Sequence, residues 1–136
     1  MFRRILVPVD FTTKSERAVR VAARIAAGSE ASLTLLHVIE RVDAGEPGGL
    51  SAFYRKLESL ARRRLADLVR RARPAAASAE ILYGRRVDEI LRFAEARKID
   101  LIVMSSHRVA RRPGEGWGTI SYKVGILSRC PVLLVK

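Results

Sequence analysis

Ser105, Ser106, His107 and Arg108 follow directly on the apolar run Leu101-Ile102-Val103-Met104, and nine residues separate Arg108 from Gly118-Thr119-Ile120-Ser121. The apolar run is short, unbroken and bounded by Asp100 and Ser105, a pattern that predicts a strand buried on both faces of a parallel sheet. Ligands of open α/β sheets bind beyond the carboxyl ends of the strands, so these polar side chains are predicted to stand at a binding crevice. Gly118-Thr119 reads as the start of a helix, whose free N–H groups and positive dipole end favour an anion such as phosphate.

Covalent chemistry is a poorer reading of the same residues. Ser105, Ser106 and His107 are consecutive, so their side chains diverge, and no acid is placed to orient the imidazole as a nucleophile's base requires. Two histidines and the single Cys130 are too few for a metal site, and one cysteine excludes an internal disulfide. The expectation is a protein that is not an enzyme.

The elements that must position these residues alternate. Arg4 to Val9 reads as a first strand closed by Asp10, with Pro8 near its end. Thr13-x-x-Glu16 fits a capping box, followed by a helix with Ala18, Val21, Ala22, Ile25 and Ala26 on one stripe and Gly28 as its left-handed cap. Ser32 to Val38 is a second strand, in which His37 reads as a structural residue. Arg41 to Gly49 is a glycine-rich loop, the segment most expected to move. A long helix from Ser51 to Arg73 places Phe53, Leu57, Leu60, Ala61, Leu65, Leu68 and Ala72 toward the core and stops at Pro74. Ala79 to Tyr83 is a third strand, and Gly84 turns into a helix from Arg86 to Lys98 with Val87, Ile90, Leu91 and Ala94 inward. After Leu101 to Met104 come a helix from Gly118 to Ser128, facing the core with Ile120, Val124 and Leu127, and a last strand Val132 to Val135. This β-α-β-α-β-α-β-α-β order specifies a five-stranded, parallel, doubly wound α/β sheet with right-handed crossovers and helices on both faces.

Composition bounds the rest. The 136 residues make one domain, 1–136, and 49% apolar with 29% charged residues is globular. No apolar run approaches the ~18 residues of a membrane span, and Phe2 to Val9 is too short and wrongly flanked for a signal peptide, so a cytoplasmic protein with no membrane partner is expected. The net charge of +12 would attract polyanions at low salt. Much of it falls at Arg62, Arg63, Arg64, Arg70, Arg71 and Arg73, around the polar side of the long helix, where a solvated face competes with a polyanion-binding one. No aromatic residue is interleaved there to stack on bases.

At the crevice residues the chain resembles the universal stress protein A family, whose ATP-binding branch carries the pattern G-x2-G-x9-G-[ST]. Ser105-x2-Arg108-x9-Gly118-Thr119 keeps that spacing and replaces the first two glycines. Ile5-Leu6-Val7-Pro8-Val9-Asp10, Leu35-Leu36-His37-Val38 and Cys130-Pro131-Val132-Leu133-Leu134-Val135 extend the resemblance along the whole chain. It implies an adenine nucleotide alpha hydrolase-like fold with strand order 3-2-1-4-5, strands one and four adjoining at the switch point, and Asp10 and Ser105 facing one crevice. It also implies nucleotide-binding positions at Pro8, Val9, Asp10, Val38, Met104, Ser105, His107, Arg108, Gly118, Thr119 and Ser121. Among these Asp10 would hold the base or ribose, Val38 would pack on adenine, and the last three would receive phosphates, with Mg2+ accompanying any ATP. A homodimer is implied through Val132, Leu133, Leu134 and Val135, whose bare apolar edge would otherwise invite aggregation.

The lost glycines matter because only glycine lets backbone approach a phosphate with positive φ. Arg108 either fills the phosphate space or supplies a bidentate guanidinium in its place. Arg111 and Arg112 are either solvated or further phosphate contacts, and Trp117 either stacks on a base or packs in a dimer. The balance favours a noncatalytic stress-response module with a degenerate nucleotide pocket that acts through protein contacts. An ATP-binding protein using Asp10, Arg108 and the Gly118-Thr119 helix start is the alternative, and a polyanion-binding protein the next.

Overall fold

The computed structural model describes residues 1–41, 50–73, 76–106 and 119–136. Five parallel strands, β1 (Arg4–Pro8), β2 (Ser32–Ile39), β3 (Ala77–Tyr83), β4 (Leu101–Ser105) and β5 (Val132–Val135), form one sheet in the order β3-β2-β1-β4-β5. Helices α1 (Thr13–Ser29), α2 (Ser51–Ala72), α3 (Arg86–Ala96) and α4 (Ile120–Leu127) join them in alternation. β1 and β4, neighbours in space but far apart in sequence, pair Ile5 with Leu101 and Leu6 with Ile102. Asp100 fastens their lower ends, its carboxylate accepting from the backbone N–H groups of Arg3 at 2.8 Å and Arg4 at 3.0 Å.

Strand alternation divides the core in two. Ile5, Val7, Leu33, Leu35, Leu101 and Val103 pack under α1 and α2, while Leu6, Leu36, Ile102 and Met104 pack under α3 and α4. β4 is buried at every position, as a strand covered on both faces must be.

Several local expectations shift, each for a visible reason. Thr12, not Thr13, caps α1, its hydroxyl oxygen accepting from Ser15 N–H, and Glu16 instead reaches Arg71 at 3.5 Å. α1 runs past Gly28 and ends at Glu30, which takes the left-handed conformation at φ 54°. Ala18, Ala22 and Ala26 are buried as expected, but the buried face is centred toward Val19 and Ala23, leaving Val21 and Ile25 half-buried. Ala61, Leu65 and Leu68 face the core as expected, but Phe53, Leu57 and Leu60 are exposed at 54%, 36% and 41%, and Tyr54, not Phe53, turns inward. In α3 Phe93 joins Ile90 and Ala94 inward, and in α4 Leu127 is exposed while Ser121 and Val124 are buried. β3 begins two residues early, at Ala77, because its pairing with β2 already starts at Leu33. The helix-start glycine Gly118, Pro74 and nearly all of the Arg41 to Gly49 loop lie outside the described residues.

Candidate functional site

The switch point lies where β1 feeds α1 on one side and β4 feeds α4 on the other. Here a cleft is lined by Pro8, Val9 and Asp10 from the end of β1, Leu36, His37 and Val38 from β2, and Met104 and Ser105 from β4. Arg86 and Ile90 of α3 and Ile120 of α4 close it, leaving about 60 Å³ of space. Six of the residues singled out in the sequence thus come together: Pro8, Val9, Asp10, Val38, Met104 and Ser105. Thr119 caps α4, accepting from Tyr122 N–H at 3.3 Å, and Ser121 is buried behind it; neither is among the cleft-lining residues. His107, Arg108 and Gly118, with Arg111, Arg112 and Trp117, lie outside the described residues.

Asp10 is anchored by a turn of its own making. Its Oδ1 accepts from Thr12 N–H at 3.0 Å and from the Thr12 hydroxyl at 2.6 Å. Burial opposes its charge, yet these bonds, with help from Ser15 and its own backbone, hold the carboxyl below the usual aspartate range. It is therefore an anion at neutral pH, able to accept from a ligand hydroxyl or amine and repelling a phosphate.

His37 faces it from β2. Nδ1 lies 2.8 Å from the Val9 carbonyl oxygen, and because a carbonyl only accepts, that nitrogen carries the proton. Burial lowers its pKa, the Val9 bond opposes this, and Arg86 lowers it further while Asp10 raises it. The ring is accordingly neutral, with Nε2 as an acceptor, and it packs against Phe11 with centroids 4.5 Å apart and planes inclined at 36°. Phe11 sits at φ 64°, an unusual conformation for an aromatic residue, which turns its ring over His37 as the chain leaves Asp10.

Sequence reasoning gave His37 a structural role and overlooked Arg86, Leu36, Ile90 and Ile120. Arg86 was recoverable: every strand-to-helix turn of such a sheet lies at the binding end, and Arg86 opens α3 two residues after Gly84. Gly84 is required for that turn, since at φ 147° an added Cβ would come within 2.8 Å of the Glu89 side chain. The Arg86 backbone N–H donates to Glu40 Oε1 at 3.2 Å, and its Nε lies 3.9 Å from the same oxygen.

A wider cavity of about 440 Å³ lies between α3 and the segment Ser128, Arg129 and Cys130. It stands where β5 begins, at the opposite end of the sheet from the switch point. Among the described residues no group of acids, histidines and cysteines could hold a metal ion, and no helix is long and apolar enough to cross a membrane.

Comparison with known proteins agrees with this architecture. The model of the Universal stress protein family matches residues 1–136. A universal stress protein of Thermus aquaticus is 34% identical over the full length of both chains. The universal stress protein UspA of Lactobacillus plantarum superposes with a TM-score of 0.82 at 24% identity, covering 99% of this chain and 98% of its own. A universal stress protein solved in complex with cAMP superposes with a TM-score of 0.78 at 23% identity, covering 99% of this chain and 97% of that one.

Proposed function

Because the chain belongs to the universal stress protein family, we propose that it is a noncatalytic regulatory module whose nucleotide crevice has become too narrow to serve ATP and which acts through protein contacts. The observation that carries this is the size of the cleft. About 60 Å³ remains between Arg86, Ile90 and Ile120 on one side and the strand ends on the other, against roughly 300 Å³ or more for ordinary small-molecule sites, the larger spaces of about 410 and 890 Å³ lying beyond Arg86 toward α2 and α4. Ser105, standing where the family pattern has glycine, is buried at the floor and brings a Cβ to a position suited to close backbone approach. Among the described residues Asp10 is the one acid lining the cleft, so a Mg2+ triphosphate would find a single carboxylate there.

A second reading, binding of an adenine nucleotide in the same cleft, draws on the gathering of Pro8, Val9, Asp10, Val38, Met104 and Ser105 at the switch point. The relative solved with cAMP lends it precedent. Calorimetric titration with ATP separates the two readings.

Protein contact begins with a second copy. β5 pairs with β4 on one side, and Leu133 and Leu134 are 39% and 40% exposed along it. Pairing of β5 with its mate in a homodimer would satisfy that edge and cover both leucines. The basic side of α2 suits a weaker role as a polyanion contact, since Arg62, Arg70 and Arg71 already have acidic partners at Glu58, Asp67 and Glu16. In this reading the chain acts as a noncatalytic protein in a cytoplasmic setting.

A further inference from the structure

A cavity of about 410 Å³ opens between α2 and the end of β2, lined by Phe11, His37, Val38, Ile39, Glu40, Leu57, Leu60, Ala61, Arg64 and Arg86. Its size falls in the range of small-molecule sites, unlike the narrow cleft beside it. Its walls are mostly apolar, and two of them, Leu57 and Leu60, are the residues of α2 that periodicity assigns to the core and that stand exposed.

The charges around it do not cancel. Glu40 is engaged by Arg86 through both backbone and side chain, and His37 is held neutral by burial. Arg64 has no carboxylate partner among the described residues; its recorded contact is the ring of Phe11, with the guanidinium carbon 5.5 Å from the ring centroid. Its helical neighbours Arg62, Arg70 and Arg71, by contrast, are paired. An apolar cavity with one uncompensated guanidinium at its rim is complementary to an anion carried on an apolar body. The Phe11 ring lies between His37 and the Arg64 guanidinium and so holds Arg64 at the rim of the cavity.

We propose that this cavity is a binding site for a small amphipathic organic acid, its apolar body against Leu57 and Leu60 and its carboxylate or sulfonate on Arg64. The cavity shares His37, Val38 and Arg86 with the nucleotide cleft, but its occupant is held by Leu57, Leu60 and Arg64 of α2, which the cleft does not include, so the two readings are tested by different substitutions.

Fluorescence titration with anilinonaphthalene sulfonate tests it on the intact chain. Single-site saturation is expected, reversed by octanoate but not by octanol or inorganic triphosphate, which lack the anion and the apolar body respectively. Arg64→Gln should weaken the probe roughly tenfold, the scale of a lost charge-assisted contact. Leu57→Ser should weaken it comparably, while Arg63→Gln, on the same helix but outside the cavity, should leave it within twofold. All three positions are exposed, so the variants are expected to fold, and circular dichroism melts confirm that they do. Equal loss from Arg63→Gln and Arg64→Gln, or displacement by octanol as effective as by octanoate, would overturn the proposal.

Discussion

The imidazole of His37 is held with Nδ1 2.8 Å from the carbonyl oxygen of Val9, so a side chain of β2 closes on the backbone at the end of β1. The bond fixes the tautomer and joins two strand ends at the mouth of the cleft. Replacing His37 by Gln should cost about 1 kcal/mol, the ordinary net worth of such a bond, measured by urea denaturation.

The same residue gives stability a pH dependence. Burial lowers the folded pKa of His37 beneath its ordinary 6.5, with Arg86 adding to this and the Val9 bond and Asp10 opposing. The unfolded chain therefore takes up this proton first as pH falls. The neutral-imidazole contribution is fully present above the unfolded pKa and is lost as pH drops toward the folded one. Melting temperature should fall between about pH 7 and pH 5, and His37→Gln should flatten that part of the profile. An unchanged slope would refute the assignment.

Thr12 serves two neighbours at once, accepting from Ser15 N–H and donating its hydroxyl to Asp10. Thr12→Ala should destabilise the fold by about 1–2 kcal/mol, toward the upper end for a lost cap, because Asp10 also loses a partner. Asp10 provides the acid-side counterpart. Its folded pKa is lowered, so its contribution is present above the unfolded aspartate value and disappears as pH falls through the folded one. Thr12→Ala should reduce that acid-side loss, as followed by melts at low pH.

Gly28 carries a prediction of definite sign. Were it the left-handed cap, alanine there would be strained. Since α1 continues to Ser29 and an added Cβ would meet nothing within 4 Å, Gly28→Ala should stabilise by about 0.5–1 kcal/mol. Glu30→Gly, at the true left-handed position, should likewise stabilise.

The contrast between Gly28 and Glu30 shows what the sequence makes legible. Strand identities, their order along the chain and the alternating helices follow from apolar runs and turn residues, because a strand buried on both faces cannot hide its composition. Boundaries are less legible. Thr12 and Thr13 are equally good caps by type, and a helix that can continue past Gly28 makes the glycine optional. At the cleft, residues on strand ends were legible because the topology places all such ends together. The role of His37 was not, since it depends on which neighbours its ring meets, whereas the place of Arg86 at the start of α3 was open to the same topological argument. Exposure of Phe53, Leu57 and Leu60 was hidden for the same reason, as helical periodicity records an apolar face without saying what covers it.

The β5 edge yields a test of assembly. Leu134→Lys places a charge on an exposed strand that is proposed to pair with its mate, so sedimentation velocity should show a dimer for the native chain and a monomer for the variant. A monomer in both cases would remove this edge as an interface.

The most direct test of the central claim is calorimetric titration of the native chain with ATP and Mg2+ at physiological salt, with inorganic triphosphate as the charge control. A closed crevice predicts no saturable heat specific to ATP, and Arg86→Ala with Ser105→Gly, which together widen the cleft and restore a glycine, should allow binding to appear. Saturable binding of ATP to the native chain that triphosphate does not imitate, and that Asp10→Ala weakens, would contradict the account and establish the cleft as a working nucleotide site.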